Sequence, residues 1–177
     1  VLLYIFFSIF GNNFFSKDYL INILDGSYYI GFMAIGVTFL IITGGIDLSL
    51  GTTMMCAALL GGAAYNTWHW PMGACLLLVI VVATVIGLIN GVMVAYLKLP
   101  PFIATLGTQM MGMGFGAIVT KVQTMRYPTF GTPDGWFKNV FYKTTGGFPI
   151  GALWLAAFFL LAFVILNKTR FGRYTFA

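Results

Sequence analysis

Apolar stretches separated by short polar gaps run along the whole chain, close to residues 1–10, 28–43, 48–64, 72–97, 102–120 and 148–166. Gly, Pro, Asn and charged residues punctuate them, which predicts six helical segments. A helix needs about 20 residues to cross a hydrocarbon layer of about 30 Å. Four of the six segments meet that length or nearly do, and the first is the shortest. The 28–64 stretch is interrupted by Gly44, Gly45 and Asp47. It reads either as two short helices around a tight break or as one broken helix that does not turn back.

Composition sharpens this pattern into a solvent. Of the 177 residues, 60% are hydrophobic and 7% charged, where a soluble domain carries about a quarter of its residues as Asp, Glu, Lys and Arg. The expected fold class is therefore all-α, a polytopic transmembrane helical bundle, with residues 1–177 forming one membrane domain. The charges gather in the gaps: Lys17, Asp18 and Asp25 in one, Lys121, Arg126, Asp134, Lys138 and Lys143 in another, and Lys168, Arg170 and Arg173 at the end. That confinement follows from the cost of burying an ion in lipid, and Asp47 and Lys98 are the two positions it leaves to explain.

The net charge of +5 is read as topology and not as a nucleic-acid signal, because no basic stripe interleaved with stacking aromatics lies outside the apolar runs. The cluster Lys168, Arg170, Arg173 places the end of the last span on the cytoplasmic side. Counting back through six crossings puts the start of the chain inside and the 121–147 loop outside, where its four basic residues run against the positive-inside rule. Trp68, His69, Trp70 and Pro71 form a short turn suited to a membrane interface, with His69 a turn residue and not a ligand. Val1 opens inside an apolar run without a signal-peptide pattern and Ala177 follows a basic cluster, so the chain is expected to be an internal fragment.

The inventory of chemical groups argues against an enzyme: one His, two Cys, four Asp and no Glu. No nucleophile, base and orienter assemble from spacing, no Cys/His cluster has metal-ligand spacing, and Cys56 and Cys75 sit in apolar runs. The glycines Gly112, Gly114 and Gly116 lie in an apolar helix with no strand before them, so helix packing accounts for them better than a nucleotide loop.

Thr43-Gly44-Gly45-Ile46-Asp47-Leu48-Ser49-Leu50-Gly51 places an acid and a hydroxyl at a glycine-rich interruption. Non-helical backbone at membrane depth is tolerated only where protein or a watery cavity satisfies it, which makes this a candidate wall or hinge of a transport path. Alternatively, Asp47 caps the following helix, and the two roles can coexist. On helical wheels, Ala83, Thr84, Gly87, Asn90 and Gly91 share one face, and Thr105, Thr108, Gln109, Gly112 and Gly116 share another. Gly87/Gly91 and Gly112/Gly116 are GxxxG pairs and are expected to serve helix packing. Asn90 and Gln109 need partners in lipid, and with Asp47, Ser49, Thr105 and Thr108 they are the candidates for a path or hinge open to a polyhydroxylated solute. Asn167-Lys168-Thr169 fits the glycosylation pattern, but its place in the basic cluster argues against use.

These stretches resemble the permease subunits of bacterial ABC importers for monosaccharides, the ribose and galactose type. Gly44-Gly45-Ile46-Asp47-Leu48-Ser49-Leu50-Gly51 is similar to the family's GGIDLS-x-G signature. Gly87-Leu88-Ile89-Asn90-Gly91 with Ala95-Tyr96-Leu97, then Pro101-Phe102-Ile103-Ala104-Thr105-Leu106-Gly107-Thr108, then Asn167-Lys168-Thr169-Arg170-Phe171-Gly172-Arg173 match further motifs in family order. The resemblance implies the N-terminal portion of a multi-pass permease of the bacterial inner membrane. It also implies a second permease copy, identical or not, an extracytoplasmic sugar-binding protein, and cytoplasmic ATP-binding cassette subunits that use ATP and Mg. The chain itself would then hold no cofactor, and the coupling helix would lie beyond Ala177. Permeases for nucleosides or amino acids, and an ion-coupled carrier using Asp47, are the alternatives.

Overall fold

The computed structural model describes residues 2–11, 14, 16–142, 144–145 and 148–176. Val1, Lys143, Gly147 and Ala177, named above, lie outside them. The elements run α1 (Leu2–Phe10), α2 (Lys17–Ile42), α3 (Leu50–Asn66), α4 (Met72–Ala95), α5 (Pro101–Thr120), α6 (Trp136–Phe141), a two-residue antiparallel ladder β1 (Thr144–Thr145) and β2 (Phe148–Pro149), α7 (Ile150–Lys168) and α8 (Arg170–Thr175). Among the described residues, four helical stretches are long and apolar enough to cross a membrane: Ile21–Ile42, Met72–Ala95, Pro101–Thr120 and Ile150–Lys168.

Proline sets several of the starts. Pro71, Pro100 and Pro149 occupy the N-cap positions of α4, α5 and α7, and Pro101 opens α5, where a missing N–H costs nothing and the ring's fixed φ already suits the helix. Left-handed residues mark three of the turns: His69 between α3 and α4, Lys98 between α4 and α5, and Lys121 with Val122 after α5. Trp68 and Trp70, both exposed, flank His69 with their rings 5.7 Å apart.

The 28–64 stretch resolves into two helices around a break, and α2 starts earlier than the apolar pattern suggests. Lys17 and Asp25 belong to this helix and not to a gap. At 26 residues α2 is about 39 Å long, more than a hydrocarbon core needs, so its first turns can carry charge.

The chain divides into two compact units, Val1–Gly36 with Trp136–Ala177, and Val37–Gly135. In the first, α2 and α7 meet at glycines. A Cβ on Gly31 would lie 2.6 Å from Leu155, and one on Gly151 would lie 2.7 Å from the Tyr28 ring. Phe32 and Phe158 pack edge to face, and the Trp154 indole donates to the Val140 carbonyl over 3.0 Å.

In the second unit, α3 packs on both α4 and α5. Its buried side is made of small residues, Cys56, Ala57, Gly61, Gly62, Ala63 and Ala64, which let neighbouring backbones approach where lipid supplies no hydrophobic drive between helices. Exposed Leu77, Ile80, Val85 and Leu88 of α4, like Phe159, Leu160 and Phe163 of α7, are the apolar surface a helix turns to hydrocarbon.

Candidate functional site

Helix α2 stops in a glycine turn. Gly44 adopts φ +73°, a conformation costly for a residue with a Cβ. The Gly44 and Gly45 amides donate to the carbonyls of Ile41 and Leu40 at 3.0 and 2.9 Å, closing the last turn of the helix. The Thr43 hydroxyl also donates to Leu40, at 2.8 Å. The next residues cannot continue the helix, and their polar groups are met by side chains.

Asp47 supplies the first contacts. One carboxylate oxygen accepts the Ser49 amide at 2.7 Å and the Ser49 hydroxyl at 2.6 Å. Ser49, 1% exposed, is the N-cap of α3, though its own side chain makes no capping bond. Asp47 therefore stabilises the start of α3 from two residues upstream, in the position where negative charge suits the helix dipole. The Ser49 carbonyl begins the helix by accepting from the Thr53 amide at 2.7 Å and from the Thr52 hydroxyl at 2.8 Å.

Two further bonds fasten the break to its neighbours. The Asn90 amide nitrogen, from α4, donates to the Ser49 hydroxyl oxygen at 2.9 Å. From α5, Thr105 accepts the Leu48 amide at 3.2 Å while donating to the Pro101 carbonyl at 2.8 Å. One turn later Thr108, also buried, donates to the Thr105 carbonyl at 3.0 Å. The Asn90 side-chain carbonyl is buried and has no partner among the described residues. An orphaned group of that kind costs about 1–3 kcal/mol.

The structure thus joins Asp47, Ser49, Asn90 and Thr105, with Thr108 adjoining, into one hydrogen-bonded cluster. Gln109 is half-buried and outside it. Of the glycine pairs, Gly112 and Gly116 face α3, where added Cβ atoms would lie 3.8 Å from Cys56 and 3.1 Å from Leu59. Gly87 and Gly91 are exposed, with nothing within 4 Å of an added Cβ.

A second polar arrangement stands apart from this cluster. The segment after α5 lies on the far half of α3. Tyr127 donates to the Ala58 carbonyl at 2.6 Å, Asn66 donates to the Arg126 carbonyl at 2.8 Å, and Tyr65 donates to Asp134 at 3.1 Å. The adjacent glycines Gly61 and Gly62 were the available signal. An open groove of about 380 Å³ beside this segment, lined in part by Met55, Leu59, Met113 and Met125, contains none of the Asp47 cluster.

Helices of membrane-spanning length, one pair of them fastened to a broken polar segment, are those of a polytopic membrane protein. The chain belongs to the family described as branched-chain amino acid transport system / permease component, whose model matches residues 19–177. It is 32% identical over 175 residues to the galactose/methyl galactoside import permease protein of Haemophilus influenzae, covering 88% of this chain and 50% of that protein. The fructose import permease protein of Rhizobium meliloti is 29% identical over 172 residues, covering 96% of this chain and 48% of that protein. The ribose import permease protein of Haemophilus influenzae is 31% identical over 182 residues, covering 100% and 54%. The chain spans about half the length of these curated relatives. No solved structure matches it significantly.

Proposed function

We propose that the chain is part of the membrane-spanning permease of an ATP-driven importer in a bacterial inner membrane, forming the path for a monosaccharide handed over by an extracytoplasmic binding protein. The relatives named above import galactose, fructose and ribose, and that agreement on sugars supports this reading over the amino acids in the family's description. The observation that carries it is the fastened break. A helix end, an N-cap and two neighbouring helices meet in one polar cluster within an apolar bundle, the kind of discontinuity at which transporters place a path or a hinge.

On this reading ATP and Mg are used by separate cytoplasmic subunits, a second permease subunit completes the path, and this chain performs no covalent chemistry. Asp47, Ser49, Asn90, Thr105 and Thr108 line or flex the path, and Gln109 borders it. Affinity rests with the binding protein, so the path needs only weak polar contacts.

The second reading, an amino-acid permease, is favoured by the family description alone. Proteoliposomes holding the full permease, its ATPase and its binding protein distinguish these cases. The proposal requires uptake of a labelled monosaccharide that stops when ATP hydrolysis is blocked and survives a protonophore. Uptake of leucine in place of sugar, or uptake that follows an ion gradient without ATP, rejects it.

A further inference from the structure

Most of the polar groups around Asn90 are paired with one another. The Ser49 amide and hydroxyl go to Asp47, the Asn90 amide nitrogen goes to Ser49, the Leu48 amide goes to Thr105, and the Thr105 hydroxyl goes to Pro101. Two side-chain acceptors are left open among the described residues: the Asn90 carbonyl, which has no partner there, and the second Asp47 oxygen, which takes no hydrogen bond. The Ser49 hydroxyl bridges the two side chains, 2.6 Å from one and 2.9 Å from the other.

Asn90 is only 7% exposed. A buried amide kept half-satisfied works against stability, and folded proteins retain such groups mainly where function uses them. The position lies beside the break between α2 and α3, a segment outside any helical hydrogen-bond ladder. A group that meets these two oxygens must donate, because an amide carbonyl and a carboxylate oxygen only accept.

We propose that the Asn90 carbonyl and the open Asp47 oxygen form a pair of acceptors that receives a hydroxyl of the carried solute when the break parts from α4. This rests on the reading of the chain as a sugar permease. The carbonyl is closed off in the conformation described here, so contact forms only as the break moves. Contact made in that state alone adds selectivity during transport without adding a tight resting site.

The test uses the complete transporter in proteoliposomes, with the parent sugar and each of its monodeoxy analogues supplied at saturating loaded binding protein. Wild type should move one analogue at least ~5-fold more slowly than the parent, because a polar site rejects a ligand lacking its hydrogen-bonding group. Asn90→Leu, which removes the orphan and keeps the branched outline with the same number of side-chain heavy atoms, should bring that ratio to within about twofold while its thermal midpoint stays at or above wild type. Ratios that are flat in wild type or unchanged in Asn90→Leu overturn the site. So does a midpoint that falls together with uptake, which marks Asn90 as structural. Wild type that moves no sugar with ATP removes the permease reading itself, and that result precedes any variant.

Discussion

The Tyr127 hydroxyl donates to the Ala58 carbonyl over 2.6 Å, tying the segment after α5 to the middle of α3. Beside it a Cβ on Gly61 would come within 2.9 Å of the same hydroxyl, and one on Gly62 within 2.6 Å of the Met125 Cβ. The glycines are therefore the surface on which this segment rests. The Asp47 cluster fastens the first turn of α3 and this segment fastens its later turns, so α3 is held along its length by polar contacts as well as by packing.

Gly62→Val should displace that segment, because the obstructing atom is close to the Met125 backbone and cannot swing aside. Overpacking of this type costs about 1–3 kcal/mol. Tyr127→Phe, which loses only the hydrogen bond, should cost about 1 kcal/mol. Thermal unfolding of the purified protein in detergent checks both, with the glycine variant the less stable. Equal midpoints for Gly62→Val and wild type would show that the segment does not rest on α3.

Ser49→Ala removes the hydroxyl that links Asp47 to Asn90 and leaves the Asn90 amide without its acceptor. A loss of about 1–3 kcal/mol follows. Hydrogen exchange should quicken first at the start of α3, around Leu50 to Thr53, which the Asp47–Ser49–Asn90 contacts hold in place. Exchange that quickens evenly over the whole chain would place the effect elsewhere.

Gly172→Ala should open the corner between α7 and α8. A Cβ at this position would overlap the Leu166 carbonyl, a backbone atom that cannot yield, while Thr169 holds the corner by donating to the Ile165 carbonyl at 2.6 Å and accepting the Gly172 amide at 3.4 Å. Trypsin should cut the variant faster than wild type at Arg170 and Arg173. An unchanged cutting rate would show that the corner is already open in solution.

The helix ends that the sequence makes legible are those with a local cause. Pro71, Pro100 and Pro149 stop the preceding chain from continuing a helix, and the predicted 72–97, 102–120 and 148–166 runs fall close to α4, α5 and α7. The start of α2 was not legible, because the apolar pattern reports contact with lipid whereas the helix continues through Asp25 to Lys17, beyond the length lipid requires. The candidate site shows the same division. The Gly44–Gly45 turn and the Asp47–Ser49 contact follow from neighbouring residues. The bond from Asn90 to Ser49 joins residues 41 apart, and a wheel shows which face Asn90 occupies without showing what meets it. For the same reason the two GxxxG pairs looked alike in sequence, yet only Gly112 and Gly116 meet α3.

As the wall of a sugar path, the break between α2 and α3 must open and close with the transport cycle. The most direct measurement places a cysteine at Leu48, in a background lacking Cys56 and Cys75, and follows its reaction with a membrane-impermeant thiol reagent in the assembled transporter. The account predicts a rate that changes at least ~10-fold between the nucleotide-free and ATP-trapped states, reflecting alternating exposure of a site between moving helices. It also predicts slower reaction when loaded binding protein is present. A cysteine that ignores nucleotide state, or reacts only with lipid-soluble reagents, would place the break against the bilayer and contradict the account.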